Sequence, residues 1–291
     1  MKKEILLSVC IATHNEAANI GACLEAVKDI ADEIVIVDGN STDKTAEIAK
    51  SFGARVLEVP NQKMFHINKQ KSFEAAKGKW ILYLDADEIV TEELAREIVE
   101  VIQGQHVEVN LLNERLFLSH MRNIARRDGV TYTQKQPIRG YFIARKNYFL
   151  GSYLMHSGVY PDGVIRLFER GFGYLPCKTV HEQVVIDGGV SWLREPLIHM
   201  SDPTFKRYVE RANRYTTLTA IELQKRNLLI SWRTSIDYLI VKPVSIFSLL
   251  FFRHKGFMDG FAGLVWSLMS ALHAPMSFIK YKEMVNLKEH T

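Results

Sequence analysis

The chain has 291 residues, of which 47% are hydrophobic and 24% charged, enough for one large domain with an appendage and too well mixed for a disordered or fibrous protein. A formal net charge of +4 favours anionic partners only mildly, and Cys10, Cys23 and Cys177, odd in number and far apart, argue against a disulfide framework or a cysteine metal cluster. The first residues are too few and too polar for a secretory signal, so the chain is expected to start folded, in a reducing cytosol.

Residues 5–12 are apolar and β-rich, and Ile20, Cys23, Leu24 and Val27 follow at helical spacing. Glu33 to Asp38 reads as a second strand. It runs into the turn formers Gly39-Asn40-Ser41-Thr42-Asp43 and a helix carrying Ala46, Ile48, Ala49 and Phe52. Arg55 to Val59 is a third strand, Asn68 to Lys77 a helix, and Trp80 to Leu84 a fourth strand ending in Asp85-Ala86-Asp87-Glu88. Such alternation predicts an α/β fold, a mostly parallel Rossmann-like sheet with helices on both faces, whose ligands bind beyond the carboxyl ends of the strands.

The basic stretch Asn113 to Lys135, with Arg115, Arg122, Arg126 and Arg127, reads as a helical excursion with a loop. Residues 139–197 are rich in Gly and aromatics, with short β-like runs at Gly140 to Ala144 and Val180 to Ile186. A polar amphipathic helix is expected from Thr204 to Arg226. Beyond it, Ile236 to Phe252 and Phe257 to Ile279 are strongly apolar, interrupted by Lys242-Pro243, Arg253-His254-Lys255, Asp259 and Pro275.

Asp85 and Asp87 are two apart on a strand, so their carboxylates face one side. Hard divalent cations such as Mg²⁺ or Mn²⁺ take that kind of oxygen ligand, with substrate phosphates completing the shell. The competing reading has both residues capping the next helix, whose first turn is acidic with Glu88, Glu92 and Glu93. The Asp38 to Asp43 cluster supplies a carboxylate for a base or ribose, or else a simple turn and helix cap. Three polar clusters, Thr13 to Glu16, Asp38 to Asp43 and Asp85 to Glu88, would converge on one crevice if their strands lie side by side.

With its stretches SVCIATHNE (Ser8 to Glu16), IVIVDGNSTDKT (Ile34 to Thr45) and WILYLDADE (Trp80 to Glu88), the chain resembles the family 2 inverting glycosyltransferases of GT-A fold. The resemblance implies that Thr13, Asn15 and Glu16 line a nucleotide pocket, that Asp38 meets the base, that Asp85 lies near the ribose and that Asp87 binds the metal. Where the family often has Asp-Asp-Gly-Ser, this chain has Asp38-Gly39-Asn40-Ser41. Further matches reach the branch of lipooligosaccharide-core β-1,4-glucosyltransferases: Arg145 to Gly151, His156, Tyr160-Pro161-Asp162, Arg166-Leu167-Phe168, Val180-His181-Glu182 and Gly256 to Gly260.

An inverting transfer needs a carboxylate to accept the proton of the attacking hydroxyl. Glu182 resembles the acidic acceptor-side position of related enzymes and is the candidate base, with Asp162 as the alternative. Arg166 and His181 are candidate helpers at the leaving diphosphate, as are Lys69 and Lys71, although the two lysines also suit a solvated helix face. The resemblance implies a UDP-sugar donor, UDP-glucose first, a divalent metal (Mn²⁺ or Mg²⁺) and a lipid-linked glycan acceptor. Residues 1–230 would form the catalytic domain (1–104 for the nucleotide sugar, 105–230 for the acceptor), and 231–291 a membrane-associating helical tail.

Phe261 to Phe278 gives 18 residues with only His273 titratable, at the short end of the roughly 17–25 needed to cross a bilayer. Its Ser, His and Pro content favours an interfacial helix over core packing, and both over crossing. Arg253-His254-Lys255 and Lys280-Tyr281-Lys282 bracket it with positive charge, which suits peripheral attachment to the cytoplasmic face of the bacterial inner membrane. The sequence lacks His-Glu-x-x-His, Gly-x-Ser-x-Gly and a Walker loop, which argues against zinc hydrolases, serine hydrolases and P-loop enzymes. No nucleic-acid partner is expected. A polyprenyl-phosphate glycosyltransferase and a non-catalytic nucleotide-sugar-binding protein of the same fold are the alternatives.

Overall fold

The computed structural model describes residues 5–62, 64–105, 114–178 and 182–289. Its first half has the expected α/β order: β1 (Leu7–Thr13), α1 (Ile20–Glu25), β2 (Glu33–Asp38), α2 (Thr45–Ser51), β3 (Arg55–Glu58), α3 (His66–Ala75) and β4 (Trp80–Leu84). The short strand β5 (Glu88–Ile89) then precedes α4 (Glu92–Ile102) and α5 (Glu114–Asp128). Parallel pairing orders the first strands β3-β2-β1-β4. β1 and β4, flanked on both edges, are buried at almost every position, which is why they read as continuous apolar runs.

Alternation along β4 sorts the helices. Trp80, Leu82 and Leu84 join a core with Ile20 and Leu24 of α1, Ala49 of α2 and Leu94 and Ile98 of α4. Tyr83 points to the other face, where Phe73 of α3 meets its ring edge-on at 5.1 Å. Both faces are thus covered, as a parallel sheet requires. Gly78 is needed where the chain enters β4, because a Cβ there would lie 2.6 Å from the Ser8 hydroxyl.

Past β4 the sheet is mixed. β8 (Asp162–Glu169) runs antiparallel to both β4 and β6 (Thr133–Phe149), and the order continues β8-β6-β12-β5, with β12 spanning Leu197–Asp202. The parallel pairing expected of most of the sheet lies in its first four strands and in one further pair, where Gly189–Trp192 runs parallel to β6. β6 is also far longer than the short run read at Gly140 to Ala144, because sheet pairing and not apolarity holds its polar ends. The helix expected in the basic stretch is α5. His181 and the start of the Val180 to Ile186 run lie outside the described residues; Val185–Ile186 forms β10.

By compactness the chain divides into Met1–Arg145 with Pro161–His199, and Lys146–Tyr160 with Met200–Thr291. In the second unit α6 (Phe205–Lys225), capped by the Thr204 hydroxyl, packs along the helix Gly260–Glu289. Tyr208 and Ala262 share one apolar cluster, and Ala220, Leu223, Phe278 and Tyr281 another. Compactness thus groups α6 with the apolar segments that follow it.

Candidate active site

Strand register brings the polar clusters together. Thr13 pairs with Asp38 across β1 and β2, and Ile11 pairs with Leu84 across β1 and β4, so all three strands end at one edge of the sheet. Asp85 and Asp87 follow directly. They cap no helix: β5 intervenes, and the N-cap of α4 is Thr91, whose hydroxyl accepts from the Leu94 amide at 3.2 Å.

Asp38 is buried and saturated from within. Its Oδ1 accepts from the hydroxyls of Thr13 at 2.9 Å and Ser41 at 2.6 Å, and its Oδ2 from the Ser41 amide at 2.8 Å. The turn after β2 is folded around this carboxylate. Asn15, with a left-handed φ of 57°, ties the β1 loop to it: its Oδ1 accepts from the Thr42 amide at 2.8 Å and its own amide donates to Ser41 Oγ at 2.8 Å. Glu16 donates its amide to Thr45 Oγ1 and accepts from Asn19 Nδ2 through its carboxylate, each within 2.8 Å. Thr13, Asn15, Glu16 and Asp38 thus form one hydrogen-bonded rim with the turn at residues 39–45.

Beside this rim lies a buried charge cluster. Asp85 Oδ1 takes Lys69 Nζ at 2.5 Å and Oδ2 takes Arg166 at 2.5 Å. The same Arg166 reaches Glu88 at 2.6 Å, and Arg145 bridges Glu88 at 3.2 Å to Asp162 at 2.6 Å. Tyr83 supplies an aromatic wall, with the Arg166 guanidinium 4.3 Å and Lys69 Nζ 4.9 Å from its ring centre. Burial by itself would raise the pKa of Asp85, but Arg166 and then Lys69 hold its carboxyl well below the usual range. Burial would likewise depress Lys69 and Arg166, and the neighbouring carboxylates, Asp85 foremost, raise both above their ordinary values. Lys69 is therefore a buried partner of Asp85 and no solvated helix residue.

Asp87 Oδ1 lies 3.7 Å from His199 Nε2. Burial and the charge of Arg145 push His199 down to a pKa of about 4, so its imidazole is neutral at physiological pH. A carboxylate and a neutral imidazole make a fitting donor pair for a divalent cation, and their separation is near the roughly 3 Å between adjacent ligands of such an ion. Asp85, expected as the other metal ligand, has both oxygens engaged by Lys69 and Arg166. Among the described residues no group of three or more His, Cys, Asp or Glu could hold a metal. Substrate phosphate and water would have to complete the shell.

The two candidate bases flank this cluster. Glu182 is nearly buried, with a side chain 8% exposed, and bonds His66 Nδ1 at 3.3 Å and the Lys178 amide at 3.1 Å. His66 opens α3, the helix that carries Lys69. Asp162 is more open at 34% exposure and is held by Arg145. Gln183, adjacent to Glu182, donates to the Gly163 carbonyl at 3.4 Å, next to Asp162. Among the described residues Lys71 makes no ion pair with this cluster and lies half-buried on α3.

Sequence reasoning missed Glu88, Arg145, His66 and His199 as site residues. Glu88 looked like the acidic first turn of a helix, yet its side chain is 0% exposed and anchors two arginines. Arg145 lay within a matched stretch without a role. His199 sits in an apolar run, and only the β12–β5 pairing, which sets His199 opposite Glu88, brings it to the acidic loop.

A family model, glycosyl transferase family 2, matches residues 8–158. The chain is 28% identical over 290 residues to an uncharacterized glycosyltransferase of Rickettsia bellii, covering 96% of this chain and 86% of that one. It is 26% identical over 295 residues to the lipopolysaccharide core biosynthesis glycosyltransferase LpsC of Rhizobium meliloti, covering 99% and 96%. Among solved structures, that of S. aureus TarS 1-349 in complex with UDP-GlcNAc aligns with a TM-score of 0.43 at 14% identity, covering 93% of this chain and 81% of that one. With more than half of its length matched by the family model, this chain belongs to glycosyl transferase family 2 and is a glycosyltransferase.

Proposed function

We propose that the protein transfers a hexose, glucose from UDP-glucose, onto a sugar of a lipid-linked glycan such as lipopolysaccharide core, with inversion. The observation that carries this is the convergence of the β1, β2 and β4 ends on the acidic loop of Asp85 and Asp87, with Lys69 and Arg166 brought to it by pairing with Asp85. Thr13, Asn15, Glu16 and Asp38 shape the pocket for the nucleoside. Asp85, fixed by Lys69 and Arg166, orients the ribose side, and those two cations bias the site toward the anionic diphosphate. Asp87, with His199, would hold Mn²⁺ or Mg²⁺, which supplies Lewis-acid stabilisation of the leaving diphosphate when bound. Similarity to LpsC, a lipopolysaccharide core biosynthesis glycosyltransferase, supports the acceptor class.

Glu182 accepts the proton of the acceptor hydroxyl. Its contact with His66 fixes the carboxylate, and its low exposure keeps water from competing. Asp162 is the second reading because it is the more open carboxylate, although Arg145 already engages it in an ion pair. Residues 1–230 carry the chemistry, and residues 231–291 hold the enzyme at the cytoplasmic face of the inner membrane, where a soluble donor meets an anchored acceptor. The test is transfer from UDP-glucose to deacylated core oligosaccharide with Mn²⁺ by Glu182→Gln and Asp162→Asn. Loss of about 10²–10⁴ in kcat with KM for donor unchanged identifies the base. Full turnover by both variants would show that neither carboxylate is the base.

A further inference from the structure

Two helices of the second unit are long and apolar enough to cross a bilayer, Trp232–Arg253 with a mean hydropathy of 1.6 and Gly256–Leu287 with 1.3. They differ in what covers them. A third of the most apolar window of the second helix is buried, whereas none of the first is. Ile240, Val244 and Phe252 of the first helix are 58%, 61% and 61% exposed. The segment singled out from sequence, Phe261 to Phe278, is thus the better covered of the two.

Charge follows the same division. Within Trp232–Arg253 the only interior charges, Asp237 and Lys242, pair at 3.1 Å, and the Lys242 ammonium sits 3.2 Å from the Tyr238 ring centre. They neutralise one another. The unneutralised charge is at the ends, Arg233 beside Trp232 on one side and Arg253, His254 and Lys255 on the other. Those last three are exposed and have no ion-pair partner among the described residues.

Neither helix is free to cross a membrane. At the connector, Asp259 accepts from His156 Nδ1 at 2.8 Å and from the His156 amide at 2.9 Å, and the Ser157 amide donates to the His254 carbonyl at 2.9 Å. These pin the turn to the segment that follows β7 (Ser152–Leu154). Along the Gly260–Glu289 helix, Lys280 Nζ meets Asn213, Thr216 and Thr217 of α6 within 2.9 Å, and the Tyr281 hydroxyl donates to the Leu228 carbonyl at 2.6 Å. Crossing would carry α6, with Lys206, Arg207, Glu210 and Glu222, into hydrocarbon.

We infer that Trp232–Arg253 lies in the plane of an anionic bilayer, its exposed face among the acyl chains and Arg253, His254 and Lys255 on lipid phosphates, while Gly260–Glu289 stays packed on α6 as its support. This deepens the reading of a lipid-anchored acceptor and rests on it. Aromatic and basic residues at both ends of an apolar helix suit the headgroup layer.

The test is flotation of the full-length protein with sealed vesicles of phosphatidylglycerol and phosphatidylethanolamine, against vesicles of phosphatidylcholine. Expected are binding to the anionic vesicles, its loss in Ile240→Glu/Val244→Glu, and a roughly 30-fold weakening in Arg253→Gln/Lys255→Gln from two lost headgroup contacts. In a Cys177→Ser background, where the remaining Cys10 and Cys23 are buried, cysteines introduced one at a time by Ser231→Cys and His254→Cys should both react with an impermeant maleimide added outside. Protection of one end would mean spanning and would overturn the inference. So would undiminished binding by Ile240→Glu/Val244→Glu, or a stable dimer that this double variant dissolves. UDP-glucose hydrolysis in solution by the same preparations separates the two claims. Hydrolysis without flotation removes only the in-plane assignment, whereas flotation with neither hydrolysis nor transfer removes the transferase reading and leaves the assignment standing.

Discussion

Arg166 is the residue on which the buried charge cluster turns, and Arg166→Met tests that directly. The guanidinium is 3% exposed, bridges Asp85 and Glu88, and lies over the Tyr83 ring. Removing it leaves two acids in low dielectric, each with a remaining cation, Lys69 for Asp85 and Arg145 for Glu88. Breaking a buried ion pair from one side costs about 3–5 kcal/mol, and the surviving partners place this case at the lower end. At about 2 °C per kcal/mol for a chain of this size, Tm should fall by about 6 °C. The double variant Arg166→Met/Glu88→Gln should recover part of this, since the stranded charge is gone, with a coupling energy of about 1 kcal/mol or more. Differential scanning calorimetry of the four proteins provides the cycle. A Tm within about 1 °C of wild type for Arg166→Met, or strict additivity in the double variant, would refute the reasoning.

Asp87→Asn tests the metal role: with Asp87 and His199 3.7 Å apart as the proposed donor pair, metal-dependent turnover should fall about 100-fold or more, read by UDP release. Lys69→Met should raise KM for the donor and lower Tm together, because the lysine neutralises Asp85 and, in the proposed donor site, would meet the diphosphate; a donor KM equal to wild type would count against that. His120 has its pKa depressed by burial and is neutral in the fold. A base whose folded pKa lies below its unfolded value stabilises the protein above the unfolded pKa, and that contribution is lost as pH falls. Unfolding midpoints should therefore drop between pH 7 and pH 5, and His120→Gln should show a shallower drop by thermal melts.

The first four strands were readable because strand ends carry their own punctuation. Apolar runs stop at Thr13, Asp38 and Leu84, and parallel register does the rest. The mixed half was not, since Thr133 to Arg139 is polar and its strand carries no alternating apolar pattern to announce it. Glu88, Arg145 and His199 escaped for a related reason: Arg145 meets Glu88 from 57 positions away, and no local periodicity encodes that contact. Asp85 and Asp87 looked alike in sequence. What separates them is the arrival of Lys69 and Arg166 at one carboxylate and His199 near the other. In the tail, hydropathy ranked two segments almost equally, and only packing against α6 distinguished the covered helix from the exposed one.

The most direct test of the donor site is thermal stabilisation by UDP-glucose with and without Mn²⁺, measured for wild type, Asp87→Asn and Asp38→Asn. Ligand at about 100 times its Kd stabilises by about 2.7 kcal/mol, so wild type should gain several degrees with both components present and much less with either alone. Asp87→Asn should lose the Mn²⁺-dependent part, and Asp38→Asn, whose rim is disrupted, should lose the nucleotide part. Equal stabilisation of all three proteins, or none in wild type at saturating donor and metal, would contradict a donor site at these strand ends.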